Sequence, residues 1–120
     1  SAASDVYKRQ HSSCEVGMDI EQYGTRVRKV ASRFIRSDEE PAMMEGDEVY
    51  ALLLHWSAKE ALFKLMGVEE VDFIRHLRIF PFSLSEEGEF EACEYRTGRQ
   101  ERYRVRYVTH PDFVLTWIIK

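Results

Sequence analysis

Three carboxylates and one ammonium stand out for the chemistry they could do: Asp19, Glu21, Glu60 and Lys64. The run Val16-Gly17-Met18-Asp19-Ile20-Glu21 alternates apolar and acidic residues at the end of a strand. Side chains alternate across a strand, so Asp19 and Glu21 project from one face. Glu60 is the most informative position. At 100° per residue it lies about 40° around a helix from Trp56, between the directions of Leu53 and Phe63. A carboxylate on an apolar face is costly unless it is paired or bound to a cation. Two explanations stand. One is a salt bridge to a nearby arginine; the other is a hard cation shared with Asp19 and Glu21. Three carboxylates suit octahedral magnesium, which keeps waters and takes substrate phosphates in its open positions. Lys64, one helical turn after Glu60, would point a positive charge at the same phosphates.

These groups need elements to hold them. Tyr23-Gly24-Thr25 reads as a turn, with Thr25 a helix cap. Val27, Val30, Ala31, Phe34 and Ile35 then recur at helical spacing, predicting a helix that stops near Ser37, before Asp38-Glu39-Glu40 and Pro41. A mobile linker is expected through Gly46. Asp47 caps a longer helix that runs to about Met66 and is closed by Gly67. Val49, Leu52, Leu53, Trp56 and Phe63 form one apolar face, and Ala51, Leu54, Ala58, Ala61, Leu62 and Leu65 cover much of the other side, so this helix is central and buried. After a short amphipathic turn, Val71 to Ile74, the period changes from helical to alternating. Leu77 to Leu84, Phe90 to Arg96, Arg102 to Thr109 and Phe113 to Ile119 read as strands, broken at Glu87-Gly88, Thr97-Gly98 and His110-Pro111-Asp112. Such short connections make antiparallel hairpins. The expected fold class is α+β: a strand, two helices, then an antiparallel meander.

The chain of 120 residues is long enough for one domain and too short for two. A net charge of -4 argues against a general nucleic-acid binder, which needs a dominating basic surface. No uncharged stretch approaches a membrane span, and the N-terminus lacks the apolar segment of a secretory signal. Cys14 and Cys93 make neither a disulfide framework nor a zinc site, and they fit a reducing cytoplasm. Ser1 to Gln10 reads as the translation of a sequencing-library adapter, so residues 1–10 are taken as non-native and 11–120 as an N-terminally truncated domain.

Val16-Gly17-Met18-Asp19-Ile20-Glu21 followed by Trp56-Ser57-Ala58-Lys59-Glu60-Ala61-Leu62-Phe63-Lys64 resembles the paired signature of the 4'-phosphopantetheinyl transferases, (V/I)GxDIE and W(S/T)xKEAxxK. Arg33-Phe34 with Asp38-Glu39 is similar to the RF…E segment between them. The resemblance covers roughly His11 to Lys120. It implies transfer of the phosphopantetheine arm of coenzyme A to a serine of an acyl or peptidyl carrier protein, leaving 3',5'-ADP. It further implies that Asp19, Glu21 and Glu60 bind magnesium and that Glu60 assists deprotonation of the carrier serine. Lys64 would neutralise the pyrophosphate, with Lys59 near it. Of the two subfamilies, the tryptophan of the second motif and the DIE spacing resemble the larger, surfactin-synthetase-activating type. In that type two similar halves form a pseudodimer and both motifs lie in the second half. The partners implied are a carrier protein, coenzyme A, and either the missing N-terminal half or a second copy. The smaller type, the trimeric holo-acyl-carrier-protein synthases, remains the alternative, as does a catalytically incomplete half-domain that binds magnesium only.

Other residues read more plainly. Trp56 is expected to pack. Arg102, Arg104 and Arg106 make one strand face basic, either a solvated outer surface or a docking face for an acidic carrier. His55, His76 and His110 fit no ligand spacing and read as surface or turn residues, and His11 lies too close to Asp19 to be a coenzyme-binding motif histidine. A magnesium-dependent nuclease or phosphodiesterase would place its Glu-x-Lys pair on a strand, whereas Glu60 and Lys64 are four apart on a helix.

Overall fold

The computed structural model describes residues 15–41 and 47–120. The adapter-like stretch, His11, Cys14 and the linker expected through Gly46 lie outside the described residues. The order is β1 (Val16–Gln22), a single-turn α1 (Val27–Val30) running into a 3-10 turn (Ala31–Arg33), α2 (Glu48–Met66), β2 (Leu77–Ile79), β3 (Glu87–Glu94), β4 (Arg102–His110) and β5 (Phe113–Ile119). The strands form one antiparallel sheet in the order β1-β5-β4-β3-β2. The first strand therefore closes onto the last, and α2 lies across one face. The fold is α+β, as the alternation of periods predicts.

Helix α2 begins and ends where local chemistry says it should. Asp47 accepts the Val49 N–H at 2.8 Å, and Gly67 adopts the left-handed conformation (φ 63°) that ends a helix at glycine. Leu54, Ala58, Ala61 and Leu62 are fully buried against the inner face of the sheet, which contributes Leu77, Ala92, Val105, Tyr107, Val114 and Ile118. Among the described residues no helix is long and apolar enough to cross a membrane.

Three expectations about elements are corrected. The first helix is one turn plus a 3-10 turn rather than a stripe to Ser37, and Thr25 offers it no side-chain cap. Its continuation is lost to one long-range and one local partner: the Phe34 carbonyl accepts from Lys59 Nζ at 2.6 Å, and the Arg36 N–H donates to Glu39 Oε1 at 2.8 Å. Strand β2 ends at Ile79 because Pro81 has no N–H to give a ladder. Glu87 and Gly88 are strand residues, paired with Val108 and Tyr107, and make no turn.

The outer sheet face is divided in two. Across β3 and β4, Arg102 pairs with Glu91, and both Arg104 and Arg106 reach Glu89, so the arginine stripe is a ladder of alternating charge. Across β1 and β5 the same face is apolar. Met18, Ile20 and Ile119 are 57–60% exposed there, beside half-buried Leu115 and Trp117.

Candidate functional site

Gly17 sets how close β1 comes to α2. A Cβ at Gly17 would meet the Ala61 carbonyl oxygen in hard overlap and Leu65 Cβ at 2.9 Å. Only glycine lets this strand lie against the helix backbone. Ser57, on the buried side of the helix, completes the seam. Its hydroxyl hydrogen-bonds Thr116 Oγ1 of β5 at 2.8 Å and reaches the Asp19 carbonyl at 3.3 Å. The strand is thus pinned with Asp19 and Glu21 turned toward α2. Glu60 and Lys64 stand one turn apart on the helix.

The structure brings Lys64 onto Asp19, with Glu21 beside Asp19 and Glu60 within reach of its charge. Lys64 Nζ is 3.0 Å from Asp19 Oδ1 and donates to the Met18 carbonyl at 3.1 Å. Asp19 is buried, and its other oxygen, Oδ2, has no hydrogen-bond partner among the described residues. Glu21 is its neighbour on the same face. Burial, then the closeness and charge of the Asp19 carboxylate, push the Glu21 carboxyl up to about 8, with a smaller push from Glu60 and a pull back down from Trp56. Burial and the Asp19 charge raise Glu60 as well, against the pull of Lys64. No arginine contributes to Glu60 among the described residues, so the salt-bridge explanation of its position fails. Asp19 and Glu21 have no donor between them, and only a shared proton or a cation can join two such carboxylates.

Hard oxygen donors, an orphaned buried oxygen and mutual repulsion fit a divalent cation. Among the described residues, however, no three His, Cys, Asp or Glu side chains converge as a ready-made metal cage. Lys64 holds the position beside Asp19 that a cation would contest.

Lys59 is not brought to this group. Its side chain is fully buried, with Nζ bound to Glu39 Oε1 at 2.8 Å and to the carbonyls of Phe34 and Phe73 at 2.6 and 3.1 Å. Consecutive helix residues point 100° apart, so Glu60 faces β1 while Lys59 faces the segments around Phe34 and Phe73. Glu39, read from sequence as part of an acidic run and of the RF…E-like segment, is buried; it also accepts from the Ile79 N–H at 2.6 Å. The signal was present in outline: an interior lysine requires a partner, and an acidic residue beside a proline turn can supply one. Trp56 packs as expected, between Phe34 and Phe73 with centroids at 5.2 and 5.4 Å. His55 is a correction. It is 3% exposed, with Nδ1 at 2.7 Å from the Ala51 carbonyl. Phe63 departs the other way, at 38% exposure. Arg36, just after the 3-10 turn, is bound to Asp38 and to the Ile74 carbonyl.

A helix laid on an antiparallel sheet carries Glu60 and Lys64 to the side of the strand that bears Asp19 and Glu21. The family model of the 4'-phosphopantetheinyl transferase superfamily matches residues 15–118, and the chain belongs to that superfamily. Phosphopantetheine transfer is the chemistry of the family. No curated protein matches the chain.

Proposed function

We propose that the protein transfers the 4'-phosphopantetheine group of coenzyme A to a serine of an acyl or peptidyl carrier protein in a magnesium-dependent reaction, giving holo-carrier and 3',5'-ADP. The observation that carries this is the meeting of Asp19 and Glu21 on β1 with Glu60 and Lys64 on α2, which unites both halves of the paired motif. The carrier serine Oγ attacks the phosphorus that bears the pantetheine arm. The bond to the bridging oxygen breaks, and 3',5'-ADP leaves. Glu60, its pKa raised by burial and by Asp19, is suited to accept the serine proton. Lys64, half exposed and flexible, exchanges its contact with Asp19 for the pyrophosphate oxygens. Asp19, Glu21 and Glu60 would hold magnesium, which supplies charge neutralisation at the pyrophosphate when bound.

The chain acts, on this reading, as the second half of a surfactin-synthetase-activating enzyme, completed by an N-terminal half or by a second copy. The apolar surface of Met18, Ile20 and Ile119 supports that part, because such a patch calls for a cover. Sparse cysteines, with Cys93 buried and in no disulfide among the described residues, support a cytoplasmic setting. Incubating an apo carrier protein with the chain, coenzyme A and magnesium tests the activity, read as the mass gain of one phosphopantetheine. A folded chain that gives no gain, even with a second half supplied, overturns it.

A further inference from the structure

Lys59 is the one fully buried lysine among the described residues, and the proposed reaction leaves it unused. All three of its ammonium protons are spent: one on Glu39, one on the Phe34 carbonyl, one on the Phe73 carbonyl. Those carbonyls belong to two loops 39 residues apart, before and after α2. The ammonium ties both loops to the helix at the level of the site. The rings of the same two residues flank Trp56 at 5.2 and 5.4 Å, tilted by 60° and 49°, and Phe63 backs Phe73 at 6.1 Å. Trp56, Lys59 and Phe63 follow one another at i, i+3 and i+7, a single stripe of the helix. Glu60 follows Trp56 by one helical turn, about 40° around the helix.

We propose that Lys59 is a positioning residue: by fixing the Phe34 and Phe73 carbonyls it sets the two rings that hold Trp56, one helical turn before Glu60, and so holds the wall of the site from which Glu60 projects. A buried ion pair serving stability alone would need Glu39 but no particular placement of the two carbonyls. The distinction is testable, because Glu39 keeps two backbone donors, Arg36 N–H and Ile79 N–H, when the lysine is removed.

The experiment isolates Trp56 as the sole tryptophan with Trp117→Phe, then compares Lys59→Met, Lys59→Met/Glu39→Gln and Phe73→Leu in that background. Two readouts are taken: Trp56 emission with near-ultraviolet circular dichroism, and kcat against KM for carrier loading. Removing both charges restores much of the stability that Lys59→Met loses. The expected result is that the double variant melts near the parent yet keeps a red-shifted Trp56, with kcat down at least tenfold and KM for the carrier unchanged. Phe73→Leu, which leaves the ion pair whole, should shift Trp56 and lower kcat in the same direction. Parent-like Trp56 spectra in a folded double variant, or in Phe73→Leu, would overturn the proposal. The kinetic arm rests on the transferase reading, whereas the spectra do not. A parent that fails to load any carrier therefore counts against that reading, and the clamp is still judged by Trp56.

Discussion

Replacing Gly17 with alanine should damage the fold and the site together. The added Cβ lands on the Ala61 carbonyl oxygen, with Leu65 Cβ at 2.9 Å and the Ala61 carbonyl carbon at 3.1 Å. Carbon atoms rest at about 3.5–4.0 Å, so strand and helix must separate by roughly half an ångström to one ångström. None of the three atoms can rotate away, because two are backbone and the third is a Cβ fixed to it. Overpacking of this size costs about 1–3 kcal/mol, a large share of the roughly 5–15 kcal/mol that holds a domain together. The same separation moves Asp19 and Glu21 away from Glu60 and Lys64. A misplacement near 1 Å at a reacting centre can cost about a hundredfold in rate. Equilibrium urea unfolding and carrier loading by intact mass give the two readouts. Gly24→Ala is the control, since a Cβ there meets nothing within 4 Å. A Gly17→Ala protein with parental midpoint and rate, or a Gly24→Ala protein equally impaired, would refute the close-approach argument.

Other expectations follow from the same geometry. Asp47→Ala removes the cap on Val49 N–H and the acceptor of the Tyr23 hydroxyl at 2.6 Å, and should cost about 1–2 kcal/mol in urea unfolding. Burial holds His55 below its ordinary 6.5, although its bond to the Ala51 carbonyl and the charge of Glu39 pull it up. The unfolded chain therefore takes up this proton first, so stability is intact above 6.5 and declines as pH falls below it. Melting curves should show that decline, by at most about 1.4 kcal/mol per pH unit, and His55→Leu should flatten it. Magnesium must displace the proton that burial and Asp19 hold on Glu21 up to about 8. Thermal stabilisation by magnesium should grow as pH rises toward 8 and level off above it, and Glu21→Gln should remove that dependence.

Much of the scaffold is legible in the chain because its signals are local. Asp47 and Gly67 mark both ends of α2, and the Pro111-Asp112 turn with its flanking alternation marks the start of β5. What sequence misjudges is decided at long range. The Val27-to-Ile35 stripe looks helical, yet Lys59, 25 residues on, takes the Phe34 carbonyl. The β4 arginines look like a basic face until the register sets Glu89 and Glu91 beside them. On a helix apolar nearly all round, no stripe says which residue meets solvent, so His55 is buried and Phe63 is half out. The carboxylates of the site are readable from type and spacing. Lys59 is not, since adjacency in sequence to Glu60 places it on another side of the helix.

Glu60 tests the account most directly. Alanine there removes a carboxylate and substitutes a strong helix former, so the fold should survive. Intact-mass spectrometry of an apo carrier incubated with coenzyme A and either parent or Glu60→Ala, each with magnesium and with chelator, reads the outcome. A phosphopantetheine gain is expected from the parent with magnesium alone, and none from folded Glu60→Ala. Equal gain from both proteins would contradict it.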